Sequence, residues 1–242
     1  MLTISSHRCS VLITVLVCLA VIFANTTHLS ATVTPPILPP GSQYQLVFAS
    51  SPYFAVDTDI TAYNTFVSQE ASLSSTLPTG ITWRAIVSTT SIDAITNAPI
   101  TAPVYDTRGE KIADDATTFW SPTHLNPILY DQYGNGTGGL CPDGSYTGYD
   151  VWTGTNTDGT KSDFPMGGAM VTVGMSGSSL GSWVNDHTAA PTNGAPYPHT
   201  AICASLIYAL SSPITIVPEP SAFALLGVGI FCLLAYSWRR RK

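Results

Sequence analysis

Apolar residues run nearly unbroken at two places, 11–23 and 222–238, and between them they recur with changing period. Residues 43–49 (Gln-Tyr-Gln-Leu-Val-Phe-Ala) form a short apolar-rich run that predicts a first strand. Over 58–73 the apolar positions Ile60, Tyr63, Phe66, Val67 and Leu73 approach helical spacing. Asp57 or Thr58 is placed to cap that helix, and Pro78-Thr79-Gly80 follows its end. A strand is expected over 81–88, with Trp83, Ala85 and Val87 on one face. Val104-Tyr105 and Ile112, joined through Arg108-Gly109, read as a small hairpin, and Leu125-Asn126-Pro127-Ile128 as a corner. Residues 131–182 are rich in Gly, Thr and Asn and predict loop, interrupted by strands at 151–153 and 169–175. A last strand is expected over 204–210. Strands mixed with one sizeable helix, and no internal repeat, imply an α+β domain.

The two long apolar runs have different flanks. At the N-terminus, His7 and Arg8 precede a core too short for a stable span, and the small residues Ala24 and Ala31 follow it. This is the layout of a signal peptide over 1–31. An uncleaved signal anchor is the alternative, as is a lipoprotein through Cys18, although Leu16-Val17 lack the small residues that lipidation favours. At the other end, 222–238 reaches about 25 Å as a helix, just enough for the hydrocarbon core of a bilayer. Arg239, Arg240, Arg241 and Lys242 follow it and hold that end on the cytoplasmic side. Upstream, Pro218 and Pro220 disfavour helix and leave Glu219 on an extended segment after Val217. The prolyl-flanked glutamate, the apolar span and the basic end together resemble the PEP-CTERM sorting signal, here residues 217–242. The resemblance implies transient residence in the inner membrane, cleavage near Pro218-Glu219-Pro220 by an exosortase, and release to the cell surface. A permanent single-span anchor is the alternative.

Charge narrows the body's role. Between residues 31 and 217 lie four basic and 14 acidic residues, a net charge of −10, with no basic cluster. Nucleic-acid binding is disfavoured, because phosphate contacts need grouped Lys and Arg. Residues 32–42, with Pro35, Pro36, Pro39 and Pro40, read as a stiff surface linker. Of five cysteines only Cys141 and Cys203 fall in the body, and an exported pair reads as a disulfide, with two free thiols as the alternative. Closing that loop would contribute about 4 kcal/mol through chain entropy.

Several segments of the body carry a second resemblance. They are Leu46-Val47-Phe48, Trp83-Arg84-Ala85-Ile86-Val87-Ser88, Val104-Tyr105 with Ile112-Ala113-Asp114-Asp115, and Asn126-Pro127-Ile128. The most specific is the run Val151-Trp152-Thr153-Gly154-Thr155-Asn156-Thr157-Asp158-Gly159-Thr160, and Trp183 and Cys203 with Leu206-Ile207-Tyr208-Ala209-Leu210 complete the set. Residues 43–212 resemble the endostatin-like, C-type-lectin-like domain of bacterial surface proteins. That resemblance implies first and last strands paired as neighbours, one or two helices, and a long irregular loop region. Relatives often carry cysteines in the first helix and final strand, where this chain has Tyr63 and Ala209, so that bridge is absent.

Candidate chemistry is sparse. Trp183-Val184-Asn185-Asp186 is a stretched form of the lectin Trp-Asn-Asp calcium motif, but one Asn185-Asp186 pair supplies few of the six to eight oxygens calcium takes. Asn156, Asp158 and Asp163 are spaced loosely like a calcium loop; for both clusters local loop hydrogen bonding is the competing reading. No His-x-x-x-His or Gly-x-Ser-x-Gly spacing occurs, and Asp186-His187 is an adjacent pair of the kind that seldom works as base and orienter. Gly134-Asn135-Gly136 is a turn without the Lys of a phosphate loop. The four body tryptophans are expected in the core, while Tyr146 and Tyr149 are candidates for stacking on a glycan. The expectation is a surface-displayed, non-enzymatic protein that binds exopolysaccharide or an envelope protein, without a required cofactor and with calcium as the one candidate ion. A secreted enzyme acting on extracellular polymer is the alternative.

Overall fold

The structure is a computed structural model. It describes residues 33–34, 36–51, 53, 57–137, 139–140, 146–147, 150–190, 206–217 and 236–239, with 139–140 and 146–147 as backbone alone. The expected signal peptide (1–31) and most of the apolar run at 222–238 lie outside these residues. Among the described residues no helix is long and apolar enough to cross a membrane.

The fold is α+β and grows from β1 (Gln43–Ala49), which is buried on both faces. Its period-2 alternation sends Tyr44, Leu46 and Phe48 into one core and Val47 and Ala49 into another. α1 (Ile60–Leu73) covers the first core with Tyr63, Val67 and Ala71. Its cap is Asp59, whose carboxylate accepts from Thr61 N–H, rather than Asp57 or Thr58. Asp57 acts one step earlier, accepting from Asp59 N–H at 3.0 Å. Tyr63 and Ala209 both belong to this first core.

The main sheet runs β2 (Trp83–Ala85), β10 (Tyr208–Ser211), β1, β3 (Val104–Asp106), β4 (Lys111–Ala113). β10 lies antiparallel to β1, with Val47 opposite Leu210 and Ala49 opposite Tyr208. β3 is parallel to β1, and β11 (Ile214–Thr215) pairs with its start. First and last strands are therefore neighbours, as the resemblance implies. The expected strand over 81–88 shortens to three residues because the chain then leaves the sheet: Ser88 N–H bonds Thr153 C=O instead. The last strand likewise starts at Tyr208, since Ile207 N–H turns aside to the Ser50 hydroxyl. Two one-turn helices, α2 (Ala94–Asn97) and α3 (Ala116–Phe119), accompany the longer one.

The second core packs Phe119, Trp120, Trp183 and Tyr208 in edge and tilted contacts, with Trp183 and Tyr208 rings 5.8 Å apart. All four body tryptophans are buried. The loop region carries a small sheet, β7 (Asp150–Trp152), β8 (Val171–Met175) and β9 (His187–Ala189), and a two-stranded ribbon, β5 (Gly139–Leu140) with β6 (Tyr146–Thr147). The Trp-Thr-Gly-Thr run is the joint between the sheets. The Thr153 hydroxyl donates to Val184 C=O at 2.6 Å, and the Thr155 hydroxyl to Thr153 C=O at 2.7 Å. Gly154 has φ +60°, and a Cβ there would meet Met166 N at 2.5 Å and Ser88 O at 2.6 Å. This run is specific because three strands of backbone converge on it. The Pro-rich segment is strapped to the body rather than a free spacer: Val33 is buried, Thr34 N–H bonds Thr107 C=O, and Gly41 N–H bonds Ile216 C=O.

Candidate functional site

The predicted loop residues Asn185 and Asp186 sit between the 3₁₀ turn Gly181–Trp183 and β9. Burial of Trp183 anchors them, and Asp186 N–H bonds Val173 C=O on β8. The Asp186 carboxylate is engaged by His187, whose Nδ1 lies 3.0 Å away. His187 Nε2 is 3.8 Å from Asp150 on β7. Burial pushes the Asp150 carboxyl upward; the neighbouring His187 opposes that shift and the Asp186 charge adds to it. The Asn185 amide donates to Asn156 Oδ1 at 3.2 Å. Asp158 in turn accepts from Thr160 N–H and hydroxyl, closing the 156–160 turn on itself. Among the described residues no group of three or more His, Cys, Asp and Glu is placed to hold a metal ion. The polar atoms of both predicted residues thus serve neighbouring protein groups, and the sequence reading missed Asp150, whose approach to His187 needs the β7–β8–β9 register. Tyr146 is described only as backbone in β6, and Tyr149, Cys141 and Cys203 lie outside the described residues.

A different surface has the makings of a binding site, and it follows from β2 being an edge strand. Arg84 pairs with Leu210, so Trp83 and Ala85 turn their backbone groups outward. Ala85 N–H donates to Asn64 Oδ1 at 2.9 Å, and Ala85 C=O accepts from Asn97 Nδ2 at 2.8 Å. The two amides also clasp each other, at 2.9 and 3.0 Å. This clasp from α1 and α2 closes the edge to another strand. Two open grooves flank it. One, of about 460 Å³, runs between α1 and β2 and is lined by Asn64, Ser68, Gln69, Ser72 and Trp83. The other, of about 670 Å³, lies between the 92–101 segment and the end of β10 and is lined by Gln45, Asn97 and Thr101 together with Ile92, Leu210 and Pro213. Thr82 and Arg84 line both.

The walls of this second groove are held in place by the buried Gln45. Its Nε2 donates to Ser211 C=O at 2.8 Å and Pro99 C=O at 3.1 Å, while its Oε1 accepts from the N–H groups of Thr101 and Ala102. Such amides fix groove geometry before any ligand arrives. Arg84 is exposed and differs from the body's other cations. Arg108 donates to Gly134 C=O and lies over the Tyr130 ring, Lys111 pairs with Asp114, and Lys161 donates to Thr90 C=O. Among the described residues Arg84 makes no ion pair and no side-chain hydrogen bond.

In the tail, Val217 and Arg239 are described and exposed, while Pro218, Glu219, Pro220, Arg240, Arg241 and Lys242 lie outside the described residues. Residues 217–242 match the PEP-CTERM protein-sorting motif. No curated protein matches the chain significantly. The motif marks an exported protein that exosortase sorting carries through the membrane to the cell surface.

Proposed function

We propose that this exported chain is a non-enzymatic surface module whose body, on a C-type-lectin-like scaffold, binds extracellular polysaccharide or another envelope component. The sorting motif at 217–242 carries the reading, because it sets where the body works. Export begins with the 1–31 signal, residues 222–238 hold the chain in the inner membrane, and cleavage near Glu219 frees the body. The preformed open grooves beside Arg84 support polymer binding, since their hydroxyl and amide groups stand among apolar residues such as Trp83 and Leu210. Such a mixed surface suits the hydroxyls and C–H faces of sugar rings better than a reaction that must exclude water. No cofactor is required.

Two experiments test this reading. Glu219→Ala in the native host should trap the full-length, membrane-bound form, whereas unchanged release would replace sorting with a permanent anchor. A glycan array with the full chain in detergent, run with calcium and with chelator, tests the body. Chelator-insensitive binding supports the grooves or Tyr146 and Tyr149. Calcium-dependent binding would move the site to Asn185 and Asp186, and an array without signal would remove the polysaccharide.

A further inference from the structure

The polymer-binding reading leaves the chemistry of the ligand open, and Arg84 narrows it. It is an exposed guanidinium in a body of net charge −10, without an ion-pair or hydrogen-bond partner among the described residues, and it stands where two grooves meet. An unpaired Arg offers five N–H donors in a planar fork that matches a carboxylate. The rest of the lining is uncharged and mixed, with Thr61, Ser68 and Trp83 on one side and Thr101, Leu210 and Pro213 on the other. The clasp of Asn64 and Asn97 occupies the outward backbone groups of Ala85, so a peptide cannot add as a strand there. A densely charged polyanion would need several cations to offset the body's negative charge, and this surface presents one.

We infer that the Arg84 surface binds an acidic polysaccharide in which a uronate carboxylate is flanked by neutral sugars. The carboxylate pairs with Arg84, and the neutral units on each side occupy the two grooves. This rests on the polymer-binding reading above and specifies its ligand class.

The test uses the full chain in detergent and three probes: a hyaluronan oligosaccharide, in which uronate alternates with a neutral amino sugar; its carboxyl-reduced form; and dextran. Titration should show hyaluronan binding that weakens at least about tenfold with carboxyl reduction, and by a similar factor in Arg84→Gln, with Arg84→Lys in between. Arg84 has no partner to lose among the described residues, so the thermal midpoints of the variants should match that of the parent chain. Equal binding of hyaluronan and its reduced form, or an unchanged Arg84→Gln, would overturn the carboxylate assignment while leaving polymer binding intact. Binding of dextran alone would do the same. Failure of all three probes, together with a silent glycan array, would overturn both readings.

Discussion

Asp106 closes β3 with its carboxyl buried, and replacing it by Asn should change how stability depends on pH. One oxygen, Oδ1, accepts from Arg108 N–H at 2.8 Å and Glu110 N–H at 2.9 Å. The other, Oδ2, is buried without a partner. Loss of hydration therefore outweighs the backbone hydrogen bonds from Glu110, Arg108 and Gly109, and the pKa rises from 3.8 to about 6. Between those values the folded state holds a proton that the unfolded state releases, so stability falls as pH rises through the window. At about 1.4 kcal/mol per unit, the loss amounts to roughly 3 kcal/mol by pH 7. Asp106→Asn keeps the accepting oxygen and imitates the protonated acid. It should match the parent below pH 4 and exceed it by about 3 kcal/mol at pH 7.

His124 supplies the opposite slope. Burial pulls its pKa from 6.5 to about 4, against the Nε2–H bond to Phe119 C=O. Its contribution is complete above pH 6.5 and is lost as pH falls toward 4, again on the order of 3 kcal/mol. The two slopes oppose each other over nearly the same interval, so the parent protein should show a shallow profile and Asp106→Asn a steep acid loss. Asp150, also raised, is common to both proteins and drops out of the difference. The assay is urea unfolding at pH 4, 5, 6 and 7 with the slope m held in view. A stability difference between variant and parent that stays constant from pH 4 to 7 would refute the assigned role of Asp106.

Three further outcomes are expected. Asn97→Ala leaves Ala85 C=O without its partner and should cost about 1–3 kcal/mol, read as a lower urea midpoint; an unchanged midpoint would mean water replaces the clasp. Gly154→Ala forces a Cβ into Met166 N and Ser88 O at positive φ and should destabilise by about 3 kcal/mol or more, or reduce the yield of folded protein. If Cys141 and Cys203 are bridged, alkylation after reduction should add two labels that are absent without reductant, and the thermal midpoint should fall on reduction.

What the sequence disclosed follows the range of the interactions involved. β1 was legible to the residue because Gln43–Ala49 carries its signal within seven positions, and α1 because Tyr63 and Val67 repeat at helical spacing. The sorting tail was legible for the same reason, its three parts being contiguous. The strands at 81–88 and 204–210 were found but drawn too long, since Ser88 and Ile207 are claimed by Thr153 and Ser50, partners that no local pattern names.

The grooves were not legible. They depend on Asn64 meeting Asn97 across 33 positions and on Gln45 bridging to Ser211 across 166. Arg84 read as one more polar residue on a strand, and only the sheet order, which leaves β2 at the edge, gives it a surface to act on. Conversely, Val-Trp-Thr-Gly-Thr, the most distinctive run of the body, turned out to join two sheets, because a site crowded by backbone on three sides restricts residue choice as strongly as a ligand does. In this chain distinctive sequence marks tight packing, and the surface best arranged for binding is built from ordinary Asn, Ser and Thr, their apolar neighbours, and an Arg84 without a partner among the described residues.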